Sequence, residues 1–358
     1  MSTSVTHPEN WLPQNWLKVT EAGLFCEPGG FHIDPLRPVE RAVITHGHAD
    51  HARPGHQNVL ATPETIAIMR ARYGANAGES FQALGYGETL TLDGVGLHLA
   101  SAGHVLGSAQ AVLDWGGSRV VVSGDYKRRR DPTCAAFEVV PCDLFITEAT
   151  FGLPVFRHPD DRAEIAKLLT SVETFPERCH LVGVYALGKA QRVIVLLREA
   201  GYDRPLYLHG ALQALCDLYE SLGVALGDLR PAKGLDKEAL KGEIVLAPPS
   251  ALNDRWSRRL PEPVTAMASG WMRVRARAKQ RGVELPLILS DHADWDELTT
   301  TLAEVEAGEV WVTHGNEEAL VHHATSQGQR ARALALVGRG EEEQEQPAEP
   351  PAGQERLL

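Results

Sequence analysis

A chain of 358 residues with 43% hydrophobic content is long enough for two domains with full cores. No apolar run approaches the ~20 residues of a membrane span, the polar stretch Met1–Pro13 lacks the basic-then-apolar order of a signal peptide, and five scattered cysteines without a CxxC pair argue against a disulfide framework. A formal charge of −12 disfavours a polyanion as partner only at first sight: residues 341–358 hold −5 of it, whereas residues 251–281 carry eight Arg or Lys against two acids. The expectation is a cytoplasmic protein without a membrane partner.

In chain order, residues 16–34 have the pattern of short strands around a Pro28-Gly29-Gly30 turn. The run Arg41–Thr45 predicts a buried strand that opens into His46-Gly47-His48-Ala49-Asp50-His51. Four metal-competent side chains separated by small residues let a loop fold tightly around a cation, and imidazole with carboxylate suits Zn, Mn or Fe(II) better than Ca or Mg. One ion needs three or four such ligands, so this loop with a few distant residues could hold two. Most other histidines, such as His7, His56, His98, His158, His180, His209, His322 and His323, are expected to be ordinary surface or core residues.

Asn58–Thr62 predicts a strand, with Thr62 as N-cap and Pro63 as first residue of a helix to about Arg72. From Thr89 to Tyr126 the pattern is β, with turns at Asp93-Gly94 and Gly116-Gly117; Val120-Val121-Val122 is a buried strand leading to Asp125. Asp143–Thr147 is another, leading to Glu148. After Phe151 the pattern becomes βαβ: helix Arg162–Thr174, strand Leu181–Tyr185, helix Lys189–Ala200, strand Pro205–Leu208 and a helix near Ala211–Leu222. Leu285–Leu289 predicts a returning buried strand before Ser290-Asp291-His292-Ala293-Asp294. The domain reading is residues 1–155 and 285–338 as two parts of one domain, 156–284 as an inserted α/β domain, and 339–358 as a disordered acidic tail.

The HxHxDH string after a strand resembles the signature of metallo-β-lactamase-fold hydrolases, a four-layer αββα sandwich with a metal site along one edge. The resemblance implies further ligands at His104, Asp125 and His314, each beside an apolar run, and a bracing role for Asp34. It implies two divalent ions, Mn2+ or Zn2+: one on His46, His48 and His104, the other on Asp50, His51 and His314, with Asp125 between them. The insertion resembles the β-CASP branch of this superfamily, whose members cut DNA or RNA. Glu148 in Ile-Thr-Glu-Ala-Thr and His292 in Ser-Asp-His-Ala-Asp match that branch's acid and histidine. Tyr185 to Gln191, including Lys189, resembles the segment near the start of its insertion, and Ala268-Ser269-Gly270-Trp271-Met272 its small-residue phosphate loop. The match spans about 35–315.

Within the branch the strings are most similar to the bacterial ligase-associated DNA exonuclease group. That implies DNA as substrate, as single strands or ends, and association with an ATP-dependent DNA ligase and a helicase. His314 is a feature shared with RNA-processing members, so RNA is the alternative substrate. A small-molecule metallo-hydrolase and a non-catalytic scaffold are the remaining alternatives; the insertion disfavours the first, and the complete ligand set the second. The expected catalytic groups are Asp50, which orients the nucleophile, and His292, which protonates the leaving oxygen or holds the phosphate while Glu148 hydrogen-bonds it. Candidate substrate contacts are Lys127, Lys189, Ser269, Gly270, Arg273 and Arg275, within basic stretches at 127–130, 255–259 and 273–277.

Overall fold

The computed structural model describes residues 12–334; the acidic tail expected over 339–358 lies outside the described residues. Strands β1 to β6 (Leu17–Thr20, Gly23–Cys26, Phe31–Ile33, Arg41–Val43, His56–Ala61 and Gly78–Ala83) lie side by side in sequence order. A second sheet runs β19-β18-β11-β10-β9-β8-β7. Its strands are Thr89–Leu92 (β7), Val95–Ser101 (β8), Ala109–Trp115 (β9), Ser118–Val122 (β10), Leu144–Ala149 (β11), Glu309–Gly315 (β18) and Arg330–Ala333 (β19). The hairpins that start it turn at Asp93-Gly94 and Gly116-Gly117, where all four residues have positive φ, the backbone that a two-residue turn between right-twisted strands demands.

The two sheets bury one face against each other and the other against helices. Val43, Leu60, Leu97, Leu113, Val120, Val122, Ile146 and Trp311 fill the space between the sheets. Their chain neighbours point outward: Ala42, Ile44 and Val59 meet Ile66 and Met69 of the helix Pro63–Tyr73. Val121, Phe145 and Val310 meet Leu298 and Leu302 of helix Trp295–Glu304 and Leu320 of helix Glu317–Ser326. A strand buried on both faces needs apolar residues at every position, which is why Val120-Val121-Val122 is continuous rather than alternating. These layers form the αββα sandwich of the metallo-β-lactamase fold.

The third sheet is parallel throughout, in the order β14-β13-β15-β12-β16-β17. It is built from His180–Gly183 (β12), Leu206–Leu208 (β13), Leu229–Pro231 (β14), Ile244–Ala247 (β15), Val264–Ala268 (β16) and Leu285–Leu287 (β17). Helices Asp161–Thr174, Lys189–Glu199 and Gly210–Ser221 cover one face through Ile165, Leu168, Val193, Leu197, Leu212 and Tyr219. Ile68, between Ile66 and Met69 in sequence and so on a different face of the helix Pro63–Tyr73, joins this core, and that helix packs on both lobes.

Several strands depart from the sequence reading: Leu229–Pro231, Ile244–Ala247, Val264–Ala268 and Arg330–Ala333 were not anticipated, and two others are informative. Gly78–Ala83 was not anticipated, because it is an edge strand whose polar residues face solvent and carries no apolar alternation. The expected return strand at Leu285 instead edges the third sheet beside β16, so the chain leaves that sheet only after Leu287 rather than at 284. Pro286 has no N–H to donate to a further neighbour, which suits an outermost strand.

Replacing Ile146 with Ala removes a side chain that is 1% exposed between the two sheets. The expected cost is about 2–5 kcal/mol in denaturant unfolding, against less than about 0.5 kcal/mol for Val19→Ala at an exposed position.

Candidate metal centre

Strands β8, β10, β11 and β18 run in one direction, since β8 and β10 are both antiparallel to β9 and β10, β11 and β18 are parallel. Their C-terminal ends therefore deliver side chains to one edge of the sandwich: His104 three residues past β8, Asp125 three past β10, Glu148 in β11 and His314 in β18. The facing sheet contributes Asp34 just after β3 and the His46–His51 loop just after β4. Asp34 holds a left-handed backbone, φ 44°, and His314 another at 63°. Both are costly for non-glycine residues and persist only where the surroundings impose them.

In four of the histidines, His46, His48, His51 and His104, the outer nitrogen is held by a partner that fixes its proton. The Asp34 carboxylate accepts from Thr45 N (2.8 Å), Thr45 Oγ1 (2.6 Å) and His51 Nδ1 (2.8 Å). Because the Thr45 hydroxyl donates to Asp34, it accepts from His46 Nδ1 at 3.1 Å. His104 Nδ1 donates to the carbonyl of Asp291 (2.8 Å), and His48 Nε2 faces the carbonyl of Leu187 (3.3 Å). A carbonyl only accepts, so His48 Nδ1 and His104 Nε2 present lone pairs to one another at 3.0 Å. Two such lone pairs repel unless a cation lies between, and nitrogens sharing one divalent ion sit about 3 Å apart.

The inner atoms surround Asp125. Its Oδ2 lies 3.5 Å from His46 Nε2, 3.4 Å from His51 Nε2 and 3.9 Å from His104 Nε2, and its Oδ1 lies 3.9 Å from His314 Nδ1. Asp50 Oδ2 is 3.5 Å from His51 Nε2 and 4.0 Å from His314 Nε2. The ligand-competent atoms fall into three groups, two of which share Asp125: His46, His48, His104 and Asp125; Asp50, His51 and His314 beside it; and Asp125, Glu148 and His292. His46 Nε2 and Asp125 Oδ1 are buried without a hydrogen-bond partner, which a metal ion would satisfy. Burial, with the neighbouring imidazoles of His51 and His292 respectively, pushes His46 and His104 well below the ordinary histidine range. Burial opposes ionisation of Asp125, yet the facing imidazoles of His51, His292 and His314 outweigh it and hold the carboxyl well below the usual range. Neutral His46 and His104 beside an ionised Asp125 are in the protonation states that ligation requires.

Beside this cluster, Glu148 accepts from His292 Nδ1 at 2.9 Å and from Tyr126 N at 2.7 Å. The His292 ring lies 4.7 Å from that of His104. The expected substrate contacts fare differently. Lys127 and Lys189 are corrected: both ammonium groups are buried, donating to Ser290 O (2.6 Å) and Leu289 O (2.9 Å), and Lys189 pairs with Asp291 at 2.8 Å. Ser269 and Gly270 are buried too, the serine hydroxyl accepting from Trp271 N and the glycine packing on Phe151 and His158. Arg273 and Arg275 are exposed. Within the 127–130 stretch, Arg128 pairs with Glu304 and Arg129 with Asp294. The bracing by Thr45, Leu187 O and Asp291 O was missed: Thr45 could have been suspected from its place before His46, but backbone carbonyls leave no signal in a sequence.

In chelator-treated protein, His46 and His104 stay neutral in the fold, whereas in the unfolded chain they titrate near 6.5. Below that pH the unfolded chain binds more protons, so their contribution is complete above about 6.5 and is lost as pH falls. Urea unfolding should show a loss of about 2–3 kcal/mol between pH 7.5 and 5.5 from this pair, roughly halved in His104→Asn.

No family model matches the chain. It is 33% identical over 306 residues to a probable DNA ligase of Opitutus terrae, covering 82% of this chain and 28% of that protein. It is 27% identical over 211 residues to cleavage and polyadenylation specificity factor 73 of Drosophila melanogaster, covering 51% and 31%. It is 28% identical over 209 residues to endoribonuclease YSH1 of Gibberella zeae, covering 55% and 24%. The chain thus spans between 24% and 31% of the length of these relatives. A solved structure of a protein of unknown function from Enterococcus faecalis V583 shares the fold, with a TM-score of 0.58 at 12% identity over 83% of this chain and 79% of that one. Among the described residues no helix is long and apolar enough to cross a membrane. With the αββα sandwich, the added parallel sheet and these relatives in hand, the chain belongs to the β-CASP branch of the metallo-β-lactamase fold.

Proposed function

We propose that the chain is a metal-dependent phosphodiesterase that cuts DNA, as single strands or at ends. The observation that carries this is the convergence of lone pairs from His48 and His104 at 3.0 Å, beside an ionised Asp125 ringed by further imidazoles. His46, His48 and His104 would hold one divalent ion and Asp50, His51 and His314 a second, with Asp125 between, and Asp34 bracing the loop. Two such ions, Mn2+ or Zn2+, supply a water of lowered pKa and neutralise charge that builds on phosphate oxygens. Asp50 is the partly exposed acid of the set, kept ionised against burial by His51 and His314, and it orients the attacking water. His292, turned by Glu148 through Nδ1, serves the leaving oxygen or the phosphate through its other nitrogen.

The third-sheet lobe, about 156–287, supports a polymer rather than a small molecule as substrate. From His292 a series of ring contacts leads through Phe151 (6.2 Å) to Trp271 (4.9 Å), over which the Arg277 guanidinium sits at 3.9 Å. Exposed Arg255, Arg258, Arg259, Arg273 and Arg275 belong to the same basic stretch and suit a phosphate backbone. DNA is favoured because the match that spans 82% of the chain is with a protein named a probable DNA ligase. That name also supports an association with a DNA ligase. RNA is the second reading, favoured by the relatives named endoribonucleases.

End-labelled single-stranded DNA and RNA, incubated with protein carrying Mn2+ or Zn2+, test the reading. DNA should be cut, with activity abolished by chelation and weakening steeply as salt rises; faster cutting of RNA would favour the second reading. His292→Ala should keep its metal content and lose at least about 100-fold in turnover. Unchanged turnover would remove His292 from the chemistry.

A further inference from the structure

The four bracing partners of the imidazoles come from two places. Asp34 and Thr45 follow strands of the first sheet, whereas the Leu187 carbonyl lies just after β12 of the third sheet and the Asp291 carbonyl just past that sheet's last strand. Leu187 is held by its neighbour Gly188, at φ 82°, where an added Cβ would overlap Val105 Cγ1 in the loop that carries His104. Asp291 is held by its carboxylate, which pairs with Lys189 at 2.8 Å and Arg192 at 3.2 Å, both on the helix Lys189–Glu199. Arg192 also bonds Ser290 O and Asp161, and its Nε lies 3.4 Å from Asp131; Lys127 lies 3.5 Å from Asp161. Three carboxylates and three cations from both lobes thus form one interior ring, with Arg192 1% exposed at its centre.

We infer that this ring couples docking of the third-sheet lobe to retention of the ion on His46, His48 and His104, with Lys189 and Arg192 acting as positioning residues. The inference rests on the two-ion reading above. An imidazole that loses the partner of its outer nitrogen is free to rotate and to change tautomer, and loss of such a partner lowers metal affinity 10–100-fold. In the second group, Asp50, His51 and His314, the bracing carboxylate on His51 is Asp34 of the first sheet. Loosening the ring therefore releases one ion before the other. Linkage makes the effect reciprocal: metal binding tightens the lobe contact.

The test uses the full chain as Lys189→Met, which leaves Asp291 paired with Arg192, and as Gly188→Ala, which displaces the Leu187 carbonyl. Protein loaded with Zn2+ is dialysed against graded chelator, and bound ions are counted by mass spectrometry. In both variants one ion should leave at 10–100-fold weaker chelation than in the wild type, with the second retained as in the wild type. In metal-stripped wild-type protein, added Zn2+ should slow amide exchange in residues 185–192 and 288–293. Variants that hold both ions as the wild type does, or lose both together, overturn the inference and leave the two-ion reading standing. A wild-type chain that binds fewer than two ions overturns that reading, and the inference with it. Where a variant does not fold, by circular dichroism, the wild-type exchange experiment decides, and unchanged exchange in both segments overturns the inference.

Discussion

Bringing the lone pairs of His48 and His104 to 3.0 Å inside a protein is unfavourable, and so is burying the ionised Asp125 beside them. The rest of the molecule is arranged to impose both. Strand ends set the Cα positions, and a hydroxyl, a carboxylate and two carbonyls set the rings' outer nitrogens. The two sheets behind them, close-packed from Leu97 to Trp311, give the edge no room to relax. A cation is the simplest way to satisfy what the fold holds in place, since it answers the facing lone pairs, the buried Asp125 Oδ1 and His46 Nε2 together.

The interior ring around Arg192 serves the same end from the other lobe. Buried ion pairs contribute little net stability, because desolvation offsets their attraction, whereas breaking one leaves an uncompensated charge. A well-packed apolar junction would join the lobes as firmly, as the Ile68 contact of the helix Pro63–Tyr73 already shows. What the ring adds is direction: it fixes the Ser290 and Asp291 backbone, and with it the carbonyl that sets His104 and the peptide that carries His292. The metal ligands and the Glu148–His292 pair are in this way referenced to one another although they come from segments nearly 190 residues apart.

Legibility in the sequence followed how local the responsible physics is. His46 to His51 was readable because the spacing itself brings the ligands together. The turns at Asp93-Gly94 and Gly116-Gly117 were readable because positive φ favours those residues in a two-residue hairpin. Thr62 was readable as a cap, and its hydroxyl accepts from Thr65 N at 3.2 Å. The edge strand Gly78–Ala83 was not, since pairing at an edge asks little of the side chains, and Leu285–Leu287 was credited to the wrong sheet because an apolar run does not name its neighbour.

The same boundary divides the charged residues. From the sequence alone, Lys127, Lys189, Arg273 and Arg275 were equivalent cations near catalytic segments. Only the tertiary structure separates them, burying the two lysines against Ser290 O, Leu289 O and the Asp161 and Asp291 carboxylates while leaving the two arginines in solvent. By itself the sequence determined residue chemistry and short-range geometry: the ligand types, the strand that ends at them, and the family they resemble. Which carbonyl orients which imidazole, and which cation is spent inside the protein, depends on contacts between distant segments, and those exist only once the lobes have packed.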